Sequence, residues 1–168
     1  FGPGSHPHAA IVPTFREASF DSPAAAYLPT ESRVGRLMFV WRTGDRPPDK
    51  IAVHLPTTGD QYYWYRKQIA LDLLKHDVAS VILQFPYYAD RKPAGQYAHV
   101  LPSVSAFIVQ VCAGVMESAA IASWVAAEYP GAHTVFTGVS LGGSVASVAA
   151  VLAAADKDYN VKNSESSS

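Results

Sequence analysis

Short runs of apolar residues along the chain indicate a β-sheet. Residues 36–42, 51–55, 78–85 and 133–137 are rich in branched aliphatic and aromatic side chains, which is typical of strands. The last three runs are largely apolar from end to end, as expected of parallel strands that are buried on both faces. The pattern therefore predicts a mainly parallel sheet.

The segments between these runs have helical character. Residues 62–76 repeat apolar side chains on one helical face, and Asp60 is the expected N-cap. Residues 103–128 predict one long and mostly buried helix, and residues 141–155 predict a helix of small side chains. Strands that alternate with helices imply right-handed crossovers, so the predicted fold class is α/β.

Three further segments lack a regular pattern. Residues 1–35 are rich in proline and are expected to be irregular, and residues 86–102 predict a long loop. Residues 156–168 are polar and serine-rich, which predicts a disordered tail. The regular domain is therefore expected to span residues 36–155.

The composition narrows the class of protein. The chain has 168 residues, of which 49% are hydrophobic and 16% are charged, so a globular domain is expected and a disordered chain is excluded. The net charge of −1 gives no indication of a nucleic-acid partner. The single cysteine, Cys112, excludes an internal disulfide framework and a cysteine-based metal cluster. Cys112 is expected to be a buried thiol, no metal or cofactor is expected, and an intracellular location fits this cysteine content.

Two stretches raise the question of a membrane span. Residues 93–116 and 129–155 contain no aspartate, glutamate, lysine or arginine, but proline and glycine interrupt both. The uninterrupted helix at 141–155 would reach only about 22 Å, which is short of a hydrocarbon core of about 30 Å. We therefore expect no transmembrane segment.

One motif carries chemistry. Residues 138–143 read G-V-S-L-G-G and match G-x-S-x-G between a predicted strand and a predicted helix, the context that this motif requires. The serine must lie on a sharp turn that lifts its hydroxyl clear of the backbone, so we expect Ser140 to have a positive φ. Gly138 and Gly142 are the positions where a side chain would clash. The alternative is an ordinary turn rich in glycine and serine, which arises by chance.

When a serine attacks a carbonyl carbon, the oxyanion that develops on the carbonyl oxygen needs two N–H donors. Leu141 supplies one, because it lies at the start of a helix. The loop after the second predicted strand should supply the other. Pro56 has no N–H, so Thr57 or Thr58 is the candidate. Asp60 in this loop either lines the site or only caps the helix.

A charged segment follows the strand at 78–85. Asp90, Arg91 and Lys92 lie beyond its carboxyl end, where sites form in α/β sheets. Arg91 is therefore a second residue that could line the site. The structural alternative is an ion-paired turn that ties down the long loop.

These motifs together resemble a known family. The segments TGD at 58–60, FPYYADRKP at 85–93 and GVSLGG at 138–143 are similar to the α/β-hydrolase-domain-containing protein 18 family, in order and approximate spacing. The family tends to have glycine where this chain has Ala89, and histidine where it has Gln61. The resemblance implies the N-terminal and central part of an α/β-hydrolase fold. It also implies a serine nucleophile that hydrolyses carboxylic esters, small or lipid-like.

An α/β-hydrolase uses an acid and then a histidine after the nucleophile. After Ser140 this chain has Asp156, Asp158 and Glu165 and no histidine. The resemblance therefore implies an inactive or impaired esterase. The alternatives are a non-catalytic interaction module and a sequence fragment.

The histidines that precede Ser140 do not replace the missing one. His76 and His133 are expected at the far end of the sheet from Ser140. His54 and His99 lie nearer the carboxyl ends of strands, and we interpret them as core or solvated side chains.

The strand at 133–137 is expected to be exposed along one edge. In a full α/β-hydrolase this strand is central, whereas here no further strand is predicted after it. An apolar unpaired edge favours association, so self-association through this edge is expected.

Overall fold

The computed structural model describes residues 12–44 and 47–165, with side chains as far as residue 155. Five strands form one sheet in the order β1-β2-β4-β3-β5. Their bounds are Pro13–Asp21 (β1), Val34–Arg42 (β2), Lys50–Leu55 (β3), Ala79–Gln84 (β4) and His133–Gly138 (β5). The helices are Trp64–Leu74 (α1), Val104–Glu128 (α2) and Leu141–Glu165 (α3).

The sheet is mixed. β4, β3 and β5 are parallel, as the apolar runs predicted. β1 and β2 are antiparallel to each other, and β2 is antiparallel to β4. The prediction of a mainly parallel sheet therefore holds only for the half that carries the candidate site.

The N-terminal segment was expected to be irregular; this holds for residues 22–33, which form turns and two short 3-10 helices, but is wrong for residues 13–21. Residues 13–21 form β1, which pairs with β2 from Pro13 opposite Arg42 to Asp21 opposite Val34. β1 is an exposed edge strand that is held by backbone pairing, so its sequence shows no buried apolar run. Its proline occupies the first position, which an edge strand tolerates. Residues 1–11 lie outside the described part of the chain.

Helices cover both faces of the sheet. The larger core cluster lies between the sheet and the helices α2 and α3, and includes Val53, Leu83 and Val125. On the other face Val40 and Ile82 pack against Ala70 of α1. Two layers of helix therefore enclose the parallel strands, as the α/β pattern predicted.

Both long helices differ from their predictions. A polar tail was expected from residue 156, whereas α3 continues to Glu165; residues 166–168 lie outside the described range. Cys112 was expected to be buried, but it is exposed. It lies on an exposed stripe of α2 with Val104, Ile108 and Met116, because only the opposite face of this helix packs on the sheet.

α2 also has the length and apolar character of a membrane span, alone among the helices of the described chain. Its inner face is part of the core, with Val115, Ile121 and Val125 packed against the sheet. A core helix passes the same test of length and composition, so α2 is weak evidence for a span.

β5 lies at the edge of the sheet. Within the described residues it pairs with β3 on one side, and no strand covers its other side. Exposed and partly buried residues alternate along it, and Val135 is 57% exposed. A groove of about 1020 Å³ follows this edge, lined by small side chains of α2 and α3 such as Ala122, Ala146 and Ala150. The predicted open edge is therefore present.

Candidate active site

Ser140 lies in the turn between the end of β5 at Gly138 and the start of α3 at Leu141. Its φ is +55°, in the left-handed region that costs a residue with a Cβ about 1–2 kcal/mol. The Gly142 N–H donates to the Val139 carbonyl at 3.0 Å and holds the turn closed. The predicted tight turn with a positive φ at Ser140 is confirmed.

Three glycines make this turn tight, and one of them, Gly142, brings it against the end of β3. A Cβ at Gly138 would lie 2.5 Å from the carbonyl carbon of Gly142, and one at Gly142 would lie 2.6 Å from the Leu55 carbonyl oxygen. Gly142 also faces the Pro56 carbonyl oxygen, and a Cβ at Gly143 would lie 3.2 Å from the Gly138 oxygen. Contacts below 3.0 Å would displace backbone. The turn at Ser140 therefore lies directly beside the loop that begins at Pro56.

That loop supplies backbone donors beside Ser140. Thr57 is partly buried and Thr58 is exposed, and the Asp60 N–H closes the loop by donating to the Thr57 carbonyl at 3.1 Å. Among the residues that the structure describes, no group accepts a hydrogen bond from the N–H of Thr57, Thr58 or Leu141. All three N–H donors therefore have no acceptor among the described residues.

Asp60 was expected either to line the site or to cap α1, and the structure contradicts the capping role. The N-cap of α1 is Tyr63, and no side chain bonds to the helix end. Asp60 instead accepts from Arg66 Nε at 2.6 Å. The same guanidinium donates to the carbonyls of His54, at 3.1 Å, and Leu83. The Arg66 side chain is 4% exposed, and burial lowers its pKa although Asp60 acts in the opposite direction. Asp60 therefore ties the site loop to the ends of β3 and β4.

Arg91 was a candidate for lining the site, and the structure contradicts this too. Its side chain is fully buried and forms a two-pronged ion pair with Glu117 of α2, with Nη1 2.8 Å from Oε2. It also donates to the carbonyls of Ser32, at 2.7 Å, and Gln84. The alternative interpretation, an ion-paired turn that ties down the long loop, is correct.

His54 is a core histidine and does not face Ser140. Its ring is 2% exposed and its Nε2 lies 3.0 Å from Ser80 Oγ. Burial, and then the charge of Arg66, lowers its pKa to about 4. His133 pairs with Lys50 at the start of β3, so it lies at the far end of the sheet, as expected.

His99 is exposed and lies at the same edge as the site. A Cβ at Gly59 would lie 3.5 Å from its Cγ, so the ring covers the loop after β3. No cluster of three or more histidine, cysteine, aspartate or glutamate side chains that could hold a metal occurs in the described chain.

Sequence reasoning missed the contacts that hold the site loop. The Gly59 N–H donates to the Tyr88 hydroxyl at 3.0 Å, and the Ala89 N–H donates to Gln61 Oε1 at 3.1 Å. No pattern in the sequence pairs Gly59 with Tyr88 or Gln61 with Ala89, because each contact joins two loops that are separated by α1 and β4.

The comparisons with known proteins concern the family and the fold. The family alpha/beta hydrolase domain containing 18 matches residues 8–158. A cold-adapted esterase from an Arctic intertidal metagenomic library is 14% identical, with a TM-score of 0.55, and the match covers 89% of this chain and 56% of the esterase. Brefeldin A esterase, a bacterial homologue of human hormone-sensitive lipase, is 15% identical with a TM-score of 0.57, over 92% of this chain and 39% of that protein.

The esterase Est22 is 14% identical with a TM-score of 0.55, over 79% of this chain and 37% of its own. Identities this low show a shared fold, and the chain spans just over half the length of the Arctic esterase. The sheet order, the turn at Ser140 and the family match over most of the chain lead to one conclusion. The chain belongs to the alpha/beta hydrolase domain containing 18 family and has the N-terminal and central part of an α/β-hydrolase fold.

Proposed function

We propose that Ser140 is the nucleophile of a serine hydrolase that acts on carboxylic esters, including lipid-like acyl esters. One observation supports this most strongly. Ser140 occupies a strained turn at the carboxyl edge of the sheet, held against β3 by glycines, with three unused N–H donors close by in the fold. Strain of this kind persists where the surroundings enforce it, and it clusters at functional sites.

The chemistry follows from these groups. Ser140 Oγ attacks the ester carbonyl carbon, and the carbonyl oxygen becomes an oxyanion that accepts from Leu141 and from Thr57 or Thr58. The alcohol then leaves with a proton, and the acyl group remains on Ser140. Water attacks this acyl-enzyme, which releases the acid and restores the serine.

The 168-residue chain by itself should be a slow or inactive esterase. A serine hydroxyl is a weak nucleophile without an adjacent base, and no histidine follows Ser140 in this sequence. Donors to an oxyanion can still leave a residual acceleration of roughly 10³–10⁴ over water. A covalent adduct needs only one reaction per serine, so it accumulates over a long incubation even when turnover is too slow to measure. Adduct formation is therefore a better test than turnover.

The test is prolonged incubation with a fluorophosphonate, followed by intact-mass and peptide analysis. We expect one adduct, on Ser140, that is lost in Ser140→Ala and kept in Ser147→Ala. Ser147 is the matched control because its hydroxyl already donates to the Gly143 carbonyl of its own helix. A wild type without an adduct, or an adduct that persists in Ser140→Ala, contradicts the proposal. Turnover of p-nitrophenyl acetate and of a long-chain p-nitrophenyl ester then distinguishes small from lipid-like substrates.

The second candidate function is a non-catalytic interaction module, and the open edge of β5 favours it. We propose that two copies pair along these edges, since β5 contains no lysine, arginine, aspartate, glutamate or proline that would discourage pairing. Val135→Lys should convert an oligomer into a monomer in light scattering. Val148→Lys, at a position that is 51% exposed and lies outside the groove, should leave the oligomer intact. A wild type that is monomeric at every concentration contradicts this proposal.

A further inference from the structure

Two loops at the carboxyl edge of the sheet are fastened to each other. One is the loop at 56–61 that carries the proposed oxyanion donors, and the other is the turn at 86–91 after β4. The Gly59 N–H donates to the Tyr88 hydroxyl at 3.0 Å, and the Ala89 N–H donates to Gln61 Oε1 at 3.1 Å. Tyr88 is 1% exposed, so its hydroxyl reaches the loop from the protein interior and is shielded from competing water.

The turn that carries Tyr88 is held in a strained conformation. Both of its neighbours have a positive φ, +66° for Tyr87 and +44° for Ala89. The Tyr87 N–H donates to Ser32 Oγ at 3.0 Å, and Gln96 Nε2 donates to the Tyr87 carbonyl at 3.0 Å. Non-glycine residues stay in this region only where their surroundings over-determine it. The backbone at Tyr88 is therefore held in place, and its buried ring directs the hydroxyl at the Gly59 N–H.

Within the loop at 56–61, Asp60 and Gln61 are held through Thr57, Arg66 and Ala89. Gly59 has a φ of +83°, and its N–H donates to the Tyr88 hydroxyl. The amides of Thr57 and Thr58 precede it in the same short turn, so rotation at Gly59 redirects them. The Leu141 donor needs no such anchor, because it is built into the start of α3.

We infer that Tyr88 is a positioning residue of the site: by accepting the Gly59 N–H, its hydroxyl holds the Thr57 and Thr58 amides in the orientation that receives the oxyanion formed at Ser140. This inference rests on the proposed function of Ser140. Donors that are already oriented lose no reorganisation energy when the charge develops, which is why such anchoring affects the reaction more than substrate binding.

The test uses Tyr88→Phe in the full chain, which keeps the ring and removes the hydroxyl. Tyr97→Phe is the matched control, since Tyr97 lies in the same long loop and is 83% exposed. Two quantities are measured: amide hydrogen exchange in the peptide that covers residues 55–63, and the saturation kinetics of fluorophosphonate addition to Ser140. For Tyr88→Phe we expect about tenfold faster exchange at Gly59 and about a tenfold lower maximal rate of addition, with an unchanged half-saturation concentration. Tyr97→Phe should match the wild type in both.

Three results would overturn the inference in distinguishable ways. Unchanged exchange in Tyr88→Phe shows that the hydroxyl does not anchor the loop. Faster exchange with an unchanged maximal rate shows that the anchor does not serve the oxyanion. If the wild type forms no adduct, the Ser140 proposal fails and the positioning role fails with it. The exchange data then show whether the anchor itself is real.

Discussion

Two buried arginines bind neighbouring carbonyls at the end of β4, and they are paired in different ways. Arg66 donates to the Leu83 carbonyl and Arg91 donates to the Gln84 carbonyl. The partner of Arg91 is Glu117, and both side chains are 0% exposed. The partner of Arg66 is Asp60, which is 11% exposed and belongs to the site loop. One pair is sealed in the interior, whereas the other reaches the partly exposed loop at 56–61.

The contacts of Arg91 and Glu117 join distant parts of the fold, whereas those of Arg66 and Asp60 hold the loop beside the candidate site. Around Arg91 and Glu117, Ser22 donates to the carboxylate and Ser32 donates to the Arg91 carbonyl. These contacts join the N-terminal segment, the long loop and α2. Around Arg66 the contacts join β3, β4 and the loop at 56–61. Substitutions at the two arginine pairs should therefore have different consequences.

The largest effect is expected from Glu117→Ala. It leaves the charge of Arg91 buried without its partner, which costs about 3–5 kcal/mol of the free energy of unfolding. Asp60→Ala should cost less, about 1–3 kcal/mol, because water can reach the rim beside Arg66. Urea denaturation of both variants checks the order, with Glu117→Gln as a milder substitute if the alanine variant does not fold. Equal losses at the two positions would refute the comparison.

A smaller effect on the free energy of unfolding is expected from a change of pH, and it comes from His54, which lies beside Arg66. The pKa of His54 is lowered to about 4 by burial and by Arg66, from an unfolded value of 6.5. The unfolded chain therefore binds the proton first as the pH falls below 6.5. The free energy of unfolding should then decrease by about 2 kcal/mol between pH 7 and pH 5.

The control is His54→Gln, which should flatten this pH dependence in denaturation experiments. Glu117→Gln should keep it, because no histidine is among the contacts that the structure shows for Arg91. A slope that survives in His54→Gln would assign the effect to another group.

The smallest effect is expected at Ala89, in the strained turn at 86–91 that ends at Arg91. Ala89 has a φ of +44°, where glycine carries no steric penalty. Ala89→Gly should therefore raise the free energy of unfolding by about 1 kcal/mol. Ala94→Gly is the matched control in the same loop, since Ala94 has no positive φ, and it should be slightly destabilising. Thermal unfolding of both variants measures these changes. A loss of stability in Ala89→Gly would show that the positive φ of Ala89 is not strained.

The sequence predicted those parts of the structure that depend on local pattern. The strands from β2 to β5 and the three helices follow from apolar periodicity. The turn at Ser140 follows from the glycines around it, because backbone atoms lie close to the place that a Cβ would occupy at each of them. β1 escaped prediction, since an antiparallel edge strand is defined by its pairing with β2 and not by its own side chains.

The polar contacts could not be predicted, because they join distant segments. Asp60 was a candidate both for lining the site and for capping α1, but α1 begins at Trp64 and the Asp60 carboxylate pairs with Arg66. Arg91 and Glu117 meet only because the long loop folds against α2. Residue spacing does not predict such a pair, and it does not predict the contact between Gly59 and Tyr88 either.

The contact between Gly142 and Leu55 has a consequence for the order of folding. The turn at Ser140 takes its shape from the end of β3, which is separated from it by α1, β4 and α2 along the chain. Contacts between such distant segments form late, since the entropy of closing the intervening loop must first be overcome. β1 and β2, which are adjacent in sequence, can pair early. In refolding experiments the reactivity of Ser140 should therefore appear after most of the sheet signal has been regained.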